Sequence, residues 1–390
     1  MPESTDIIKA QYDLAQDPFS AVVPPIYLSV AYSYVSDDEA KLDDRGVVVK
    51  YSREENPTLR PFERALAELE GGHEGLAFSS GMSSNATTLM ALLRKNVKVL
   101  ALMEMYSTTI QLLEHMVQLV GGTLKLAFPT TESLVNEMSG ERYDLVFIEV
   151  MTNPTLKVID VREVGRLARD QGAKLIVDNT FTTPLLVRPI RHGAQVVIHS
   201  ATKYLAGHND VVGGVAVTTS EDFDLLWEWR RVLGTAMSPL EAYLSYRGLK
   251  TLPLRFERQS RTAQALAEFL RDNSKVRVVH YPGLKDDPYH EVAERLFERR
   301  LYGGVLSFSV KGGVEEAKRV LRSLRLARAA PSLGGTETLV TIPALTAASH
   351  IPPEDRKALG IEDSLIRVSV GLEDTDDIVE DFGRALGSLS

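Results

Sequence analysis

Short, continuous apolar runs alternate with stretches of helical periodicity from about residue 56 to 220. Phe62, Ala65, Leu66 and Leu69 recur at i, i+3, i+4 and i+7, the spacing of an amphipathic helix. The apolar runs that follow are Gly75–Phe78, Val97–Leu102, Thr123–Ala127, Asp144–Val150, Ala173–Val177 and Gln195–His199. Between them, Ser83–Leu93, Thr109–Val120 and Val161–Asp170 read as helices. Such an alternation predicts an α/β fold whose mainly parallel sheet is covered on both faces. In sheets of that kind ligands sit beyond the carboxyl ends of the strands, so the ends of the apolar runs are where chemistry is sought.

The texture changes on either side. Residues 1–55 lack a regular period; Pro18, Pro24 and Pro25 interrupt any long helix, and Asp37-Asp38-Glu39 with Asp43-Asp44 form an acidic, solvated run. From about 255 a helix (Ser260–Arg271) leads to the strand-like Val276-Arg277-Val278-Val279 and the turn Tyr281-Pro282-Gly283. A strand at Gly304–Val310, a helix near Val314–Leu324 and a strand at Leu365–Val370 follow, the pattern of a smaller α/β domain. The expected organisation is an arm (1–55), a large domain (56–254) and a small C-terminal domain (255–390).

Composition narrows the function. With 44 basic and 53 acidic residues the net charge is −9, which argues against nucleic acid or an anionic membrane as the main partner. The absence of cysteine excludes disulfides, thiolate metal sites and a cysteine nucleophile. The start, Met1-Pro2-Glu3-Ser4-Thr5-Asp6, has neither the basic residues nor the apolar core of a signal peptide, and no run of about 18 apolar residues is present to span a bilayer; a cytoplasmic protein is expected.

Three strand ends carry candidate chemistry. Leu175-Ile176-Val177 runs into Asp178-Asn179-Thr180, where an acid meets the ligand edge of the sheet, although a turn or helix cap would use the same residues. Val196-Val197-Ile198-His199 runs into Ser200-Ala201-Thr202-Lys203. A lysine beside a buried strand end is costly unless its pKa falls or its charge is consumed in a Schiff base; otherwise it is a surface loop lysine. Ala77-Phe78 runs into Ser79-Ser80-Gly81-Met82, a strand-to-helix turn whose free N–H groups suit a phosphate. Together a phosphate cradle, an acid and a hydroxyl-flanked lysine are what pyridoxal 5'-phosphate (PLP) needs, the acid keeping the pyridine nitrogen protonated.

The chain resembles the Cys/Met-metabolism family of PLP enzymes. The resemblance rests on Tyr51-Ser52-Arg53 with Asn56-Pro57-Thr58, on Ser79-Ser80-Gly81-Met82, on Asn153-Pro154-Thr155 and on Val177-Asp178-Asn179-Thr180-Phe181. It continues through Ser200-Ala201-Thr202-Lys203-Tyr204, Gly207–Gly214, Arg247–Leu252, Ser332-Leu333-Gly334-Gly335 and Arg367–Glu373, in order and over nearly the whole chain. It implies the PLP-dependent transferase fold of type I, like that of aspartate aminotransferase. It implies that Lys203 is the Schiff-base lysine and proton shuttle, and that Asp178 is the partner of the pyridine nitrogen. By the same resemblance Gly81, Met82, Ser200 and Thr202 hold the phosphate, and Tyr106 stacks on the ring and serves as acid or base at the leaving group. Arg367 grips the substrate carboxylate, Asn153 supports the cofactor oxygen or that carboxylate, and Ser332 orients Lys203 or the substrate. Tyr51 and Arg53 reach the phosphate of a neighbouring subunit, which makes the active unit at least a dimer and implies a dimer of dimers. The implied activity is trans-sulfuration: γ-elimination or γ-replacement on a sulfur amino acid or an O-activated homoserine, with methionine γ-lyase, cystathionine β-lyase and O-acylhomoserine sulfhydrylase chemistry as alternatives.

Two departures bear on specificity. Pro331 precedes Ser332 where many cystathionine-handling relatives carry a glutamate, and Tyr106-Ser107-Thr108-Thr109 replaces the common Tyr-Gly pattern and lacks the cysteine frequent in methionine γ-lyases. Elsewhere, His290-Glu291-Val292-Ala293-Glu294 lacks the second histidine of a zinc helix, and no Walker loop or G-x-G-x-x-G is present. A regulatory or binding module on the same fold is the non-enzyme alternative, opposed by the retention of Lys203, Tyr106 and Arg367.

Overall fold

The computed structural model describes residues 21–34, 36, 41–349 and 351–389. Much of the expected arm, including residues 1–20 and Asp37-Asp38-Glu39, lies outside the described residues.

Each apolar run becomes a strand because it is too short to be a helix, and all but the edge run Thr123–Ala127 are mostly buried. These are β1 (Glu74–Phe78), β2 (Lys98–Leu102), β3 (Thr123–Ala127), β4 (Leu145–Glu149), β5 (Lys174–Asp178) and β6 (Val196–Ser200). With β7 (Gly214–Thr218) they form a seven-stranded sheet in the order β1-β7-β6-β5-β4-β2-β3. β3, β2, β4, β5 and β6 are mutually parallel, and β7 runs antiparallel to both β6 and β1. The sequence pattern does not reveal β7. It is a buried apolar run like the others, but it emerges from the glycine-rich Gly207–Gly214 segment and no helix separates it from β6.

Helices cover the sheet. Arg60–Glu70 buries the stripe Phe62, Ala65, Leu66 and Leu69 and stops at Gly71, whose φ of 74° is left-handed. Helix Gly81–Leu92 begins two residues before the periodicity suggests, because Ser80 and Ser83 form a reciprocal capping box. Beneath the sheet's edge, Arg230 is fully buried between Glu55 and Glu63 at 2.9 and 2.6 Å.

The second sheet has five strands: β8 (Val276–His280), β9 (Val305–Val310), β10 (Arg328–Ala329), β11 (Leu339–Thr341) and β12 (Leu365–Ser369), in the order β10-β11-β12-β9-β8. β12 lies antiparallel to β9, with Arg367 opposite Ser307. Helix Leu252–Arg271 leads into it, starting earlier than the expected Ser260 because Pro253 sits in its first turn, where a missing N–H costs nothing. The position 254/255 falls inside that first turn.

Candidate active site

The carboxyl ends of β2, β4, β5 and β6 deliver Tyr106, Glu149, Asp178 and Ser200 to one cavity of about 490 Å³. Gly81, Met82, Asn153, Thr202, Lys203, Ser332 and Arg367 line the same cavity. Ten of the twelve residues singled out in the sequence therefore share one space, since Tyr106, Asp178 and Ser200 are also among them. Tyr51 and Arg53 do not. Both side chains are exposed, the Arg53 guanidinium lying 5.5 Å from the Tyr51 ring centroid.

One wall is built for close approach. The end of β1, the N-terminus of helix Gly81–Leu92 and the end of β6 meet so tightly that a Cβ on Gly81 would stand 3.0 Å from the Ser200 Cβ, and one on Gly214 would stand 2.3 Å from the Ser80 oxygen. At Gly214 the backbone itself would have to move for any larger residue, and at Gly81 the Ser200 side chain would have to give by a few tenths of an ångström. Because Ser80 caps Ser83, the N–H groups of Gly81 and Met82 remain without a carbonyl inside the helix, and the hydroxyls of Ser200 and Thr202 line the same cavity. This is the donor set of a phosphate cradle.

Lys203 lines the same cavity. Its Nζ donates to the Ser332 hydroxyl at 3.1 Å, and its pKa is pulled down to about 8 by burial and by the positive charge of Arg367. Ser332 itself has a φ of 100°, a backbone state costly for a residue with a Cβ. Held there, its hydroxyl meets Lys203 while its carbonyl accepts from Arg367 Nη2 at 3.0 Å. Arg367 also donates Nη1 to Asn153 Oδ1 at 3.0 Å, and its Nε is buried without a partner among the described residues. Its partners are neutral oxygens, so no side-chain anion among the described residues balances the guanidinium, and burial lowers its pKa to about 10.

The floor is a pair of carboxyls. Glu149 and Asp178 end adjacent parallel strands in register. Burial raises the pKa of both, and Glu149, which also meets the charge of Asp178, is raised well above the usual range. Asp178 Oδ1 accepts the Thr180 N–H at 2.9 Å, and Thr180 Oγ1 accepts the Ser200 N–H at 2.9 Å, which ties the ends of β5 and β6 together. Glu149 Oε1 accepts the Tyr106 N–H at 2.7 Å, and its Oε2 is buried without a partner among the described residues. Tyr106 itself is half exposed at the mouth. Sequence reasoning misses Glu149 and Thr180. The available signal for Glu149 is an acid closing an apolar run, the same signal that marks Asp178.

The neighbouring residues have structural work. His199 is buried with Nε2 2.6 Å from Glu70 Oε1, and Asn179 donates to the same oxygen at 2.8 Å. His208 Nδ1 lies 2.7 Å from the Ala206 carbonyl, and His290 Nδ1 lies 2.8 Å from that of Pro282.

The residues present fit PLP: an amine with a depressed pKa, a buried carboxyl in the same cavity, a cradle whose close approach at Gly81 and Gly214 crowds any side chain, and a buried guanidinium whose partners are neutral. Comparisons agree. Residues 4–387 match the family model described as Cys/Met metabolism PLP-dependent enzyme. Cystathionine gamma-lyase of Saccharomyces cerevisiae is 40% identical over 379 residues, covering 95% of this chain and 94% of that protein. L-methionine gamma-lyase of Pseudomonas putida is 37% identical over 387 residues, covering 98% and 96%. The solved structure of cystathionine gamma synthase from Xanthomonas oryzae pv. oryzae in complex with cystathionine is similar with a TM-score of 0.92 at 35% identity, covering 98% of this chain and 97% of that one.

Proposed function

The chain belongs to the Cys/Met metabolism family of PLP-dependent enzymes, and from that premise we propose that it eliminates or replaces the γ-substituent of a sulfur amino acid or an O-activated homoserine. It is a PLP-dependent enzyme acting on carbon–sulfur bonds, and its substrates are small amino acids. The observation that carries the reading is the arrangement around one cavity of Lys203, Asp178 and Arg367.

The cofactor supplies, when bound, an electron sink for charge developing at the substrate Cα. Gly81, Met82, Ser200 and Thr202 would hold its phosphate, Asp178 would keep a proton on its ring nitrogen, and Tyr106 would cover its ring. Lys203 would anchor the aldehyde carbon. Arg367, with two donors already spent on Asn153 and Ser332, turns its remaining positive charge to the substrate α-carboxylate. That grip sets the Cα–H bond before the Lys203 amine. Once the substrate amine has taken its place on the aldehyde carbon, the freed Lys203 amine, with its pKa near 8, is unprotonated in a useful fraction at physiological pH; it would remove the Cα proton, hand that proton on to the aldehyde carbon, and so be free again to take the Cβ proton as the γ-substituent leaves. Tyr106, at the mouth, is placed to give a proton to the departing group or take one from an entering thiol. Ser332 holds Lys203 in line throughout.

Replacing Arg367 by alanine should raise KM roughly 10- to 100-fold with a smaller change in kcat, since a charge-assisted pair of about 1.5–3 kcal/mol is lost from both ground and transition states. Steady-state kinetics checks this. Tyr51 and Arg53, exposed and distant from their own cavity, serve in this reading a neighbouring subunit's site. The exposed apolar residues Leu28 and Val30, at 75% and 60%, support burial of the arm in a homo-oligomer, a dimer of dimers. No described helix is long and apolar enough to cross a membrane. A cytoplasmic location is part of the same proposal.

The reaction is tested by product mass spectrometry. Cystathionine, methionine and O-acetyl-, O-succinyl- and O-phosphohomoserine are each offered with and without cysteine or sulfide. 2-Oxobutanoate with ammonia, or a new carbon–sulfur bond at Cγ of a homoserine ester, supports γ-chemistry; pyruvate, ammonia and homocysteine from cystathionine would replace it with β-elimination.

A further inference from the structure

A second buried charge cluster lies beside the cavity and has no part in the chemistry above. Glu104 follows β2, two residues before Tyr106, and is completely buried. Its Oε1 accepts from Thr152 Oγ1 at 2.9 Å, from the Thr155 N–H at 2.9 Å and from Thr155 Oγ1 at 2.6 Å. Its Oε2 accepts from Lys157 Nζ at 2.6 Å. The Lys157 ammonium also donates to the Thr155 hydroxyl and, at 2.7 Å, to the Leu359 carbonyl.

These bonds enclose the segment that carries Asn153. Thr152 and Thr155 flank Asn153-Pro154, and the segment is fastened on its far side too: the Pro154 carbonyl accepts the Ser307 hydroxyl at 2.7 Å. Ser307 is the register partner of Arg367 across β9 and β12. Asn153 Oδ1 in turn accepts from Arg367. Four donors on one carboxylate are more than a neutral amide oxygen can take, so the anion is required for this loop geometry. Desolvation offsets the attraction of a buried carboxylate and ammonium, so the pair adds little stability of its own.

We infer that the Glu104–Lys157 pair is a positioning device for the substrate carboxylate: it fixes the Asn153 segment, and through Asn153 it fixes the angle at which Arg367 faces the cavity. This rests on the reading of Arg367 as the carboxylate grip. Glu104→Gln sets an amide against the buried Lys157 ammonium and leaves one acceptor where the carboxylate served four donors. The segment then shifts, and Arg367 loses aim while Lys203 and the phosphate cradle, on other strands, stay in place.

The test compares L-norleucine with n-pentylamine binding to the holoenzyme, followed by the cofactor's visible absorbance. The two ligands are identical but for the α-carboxylate, and neither carries a leaving group. Glu104→Gln should weaken norleucine roughly tenfold and pentylamine less than about twofold, with cofactor content unchanged. Thr155→Val, which removes one donor to Glu104 and one acceptor of Lys157 while conserving shape, should weaken norleucine roughly threefold and serves if the glutamine variant does not fold. Unchanged norleucine affinity in the folded variants, or equal weakening of both ligands, would overturn the inference. Arg367→Ala separates the two levels. If it fails to weaken norleucine selectively, the carboxylate reading itself falls; if it succeeds while the Glu104 and Thr155 variants do not, only the positioning role falls.

Discussion

Lys203→Ala is expected to abolish turnover, by roughly a thousandfold or more, and to remove the covalently anchored cofactor signal while leaving the fold intact. The size follows from the two tasks that meet on one nitrogen. Loss of a positioned general base alone costs about 100- to 10,000-fold. Loss of the covalent tether removes a nucleophile that the protein has activated. The activation is visible in the structure: burial and the Arg367 charge bring the Lys203 amine down to about 8, so near neutrality a useful fraction is unprotonated, whereas an exposed lysine would be almost wholly charged. The sign of the pH effect follows. Uptake of the aldehyde by the apoprotein should accelerate as pH rises and level off above about 8. Stopped-flow absorbance measures this, and an acceleration that continues to the range of an ordinary lysine would mean that Lys203 is not buried as described. Truncation to alanine removes chiefly the hydrogen bond to the Ser332 hydroxyl, so circular dichroism should be unchanged.

Asp178→Asn should lower kcat roughly 100- to 1,000-fold with a much smaller change in KM, the range associated with removing one preorganised charge from a reaction centre. The amide keeps the shape and can still accept the Thr180 N–H, so the tie between β5 and β6 survives. What it cannot do is hold a proton on a ring nitrogen by its own negative charge. Glu149 sharpens the expectation. Its carboxyl is raised further than that of Asp178, so it keeps its proton to higher pH and leaves Asp178 to carry the charge of the pair. Steady-state kinetics with absorbance spectra of the variant separate the outcomes. A variant with normal kcat would show that the ring nitrogen is served by another group.

Legibility in the sequence differs between these parts for physical reasons. β2 to β5 can be read because each is a mostly apolar run with a helix on either side, and β6 because its apolar run breaks off sharply at Ser200. Their ends can be read because a polar residue there departs sharply from the run before it, as at Asp178 and Ser200. β7 is masked by a glycine-rich stretch, and β10 and β11, with two and three residues, are too short to show a period. The ten cavity residues are recognisable through ordered motifs whose convergence periodicity does not give. Glu149 sits inside a run that reads as strand. The Glu104–Lys157 pair is beyond reach, because nothing local marks residues 53 apart as partners. The Glu63–Arg230 pair is separated by 167 positions and is hidden for the same reason.

Everything proposed for the cavity depends on one amine holding the cofactor. Borohydride reduction of the holoenzyme, followed by proteolysis and peptide mass spectrometry, tests it most directly. A single pyridoxyl modification is expected, on the peptide containing Lys203. A modification on Lys157, Lys250 or any other lysine instead, or none on an enzyme that turns over, would contradict it.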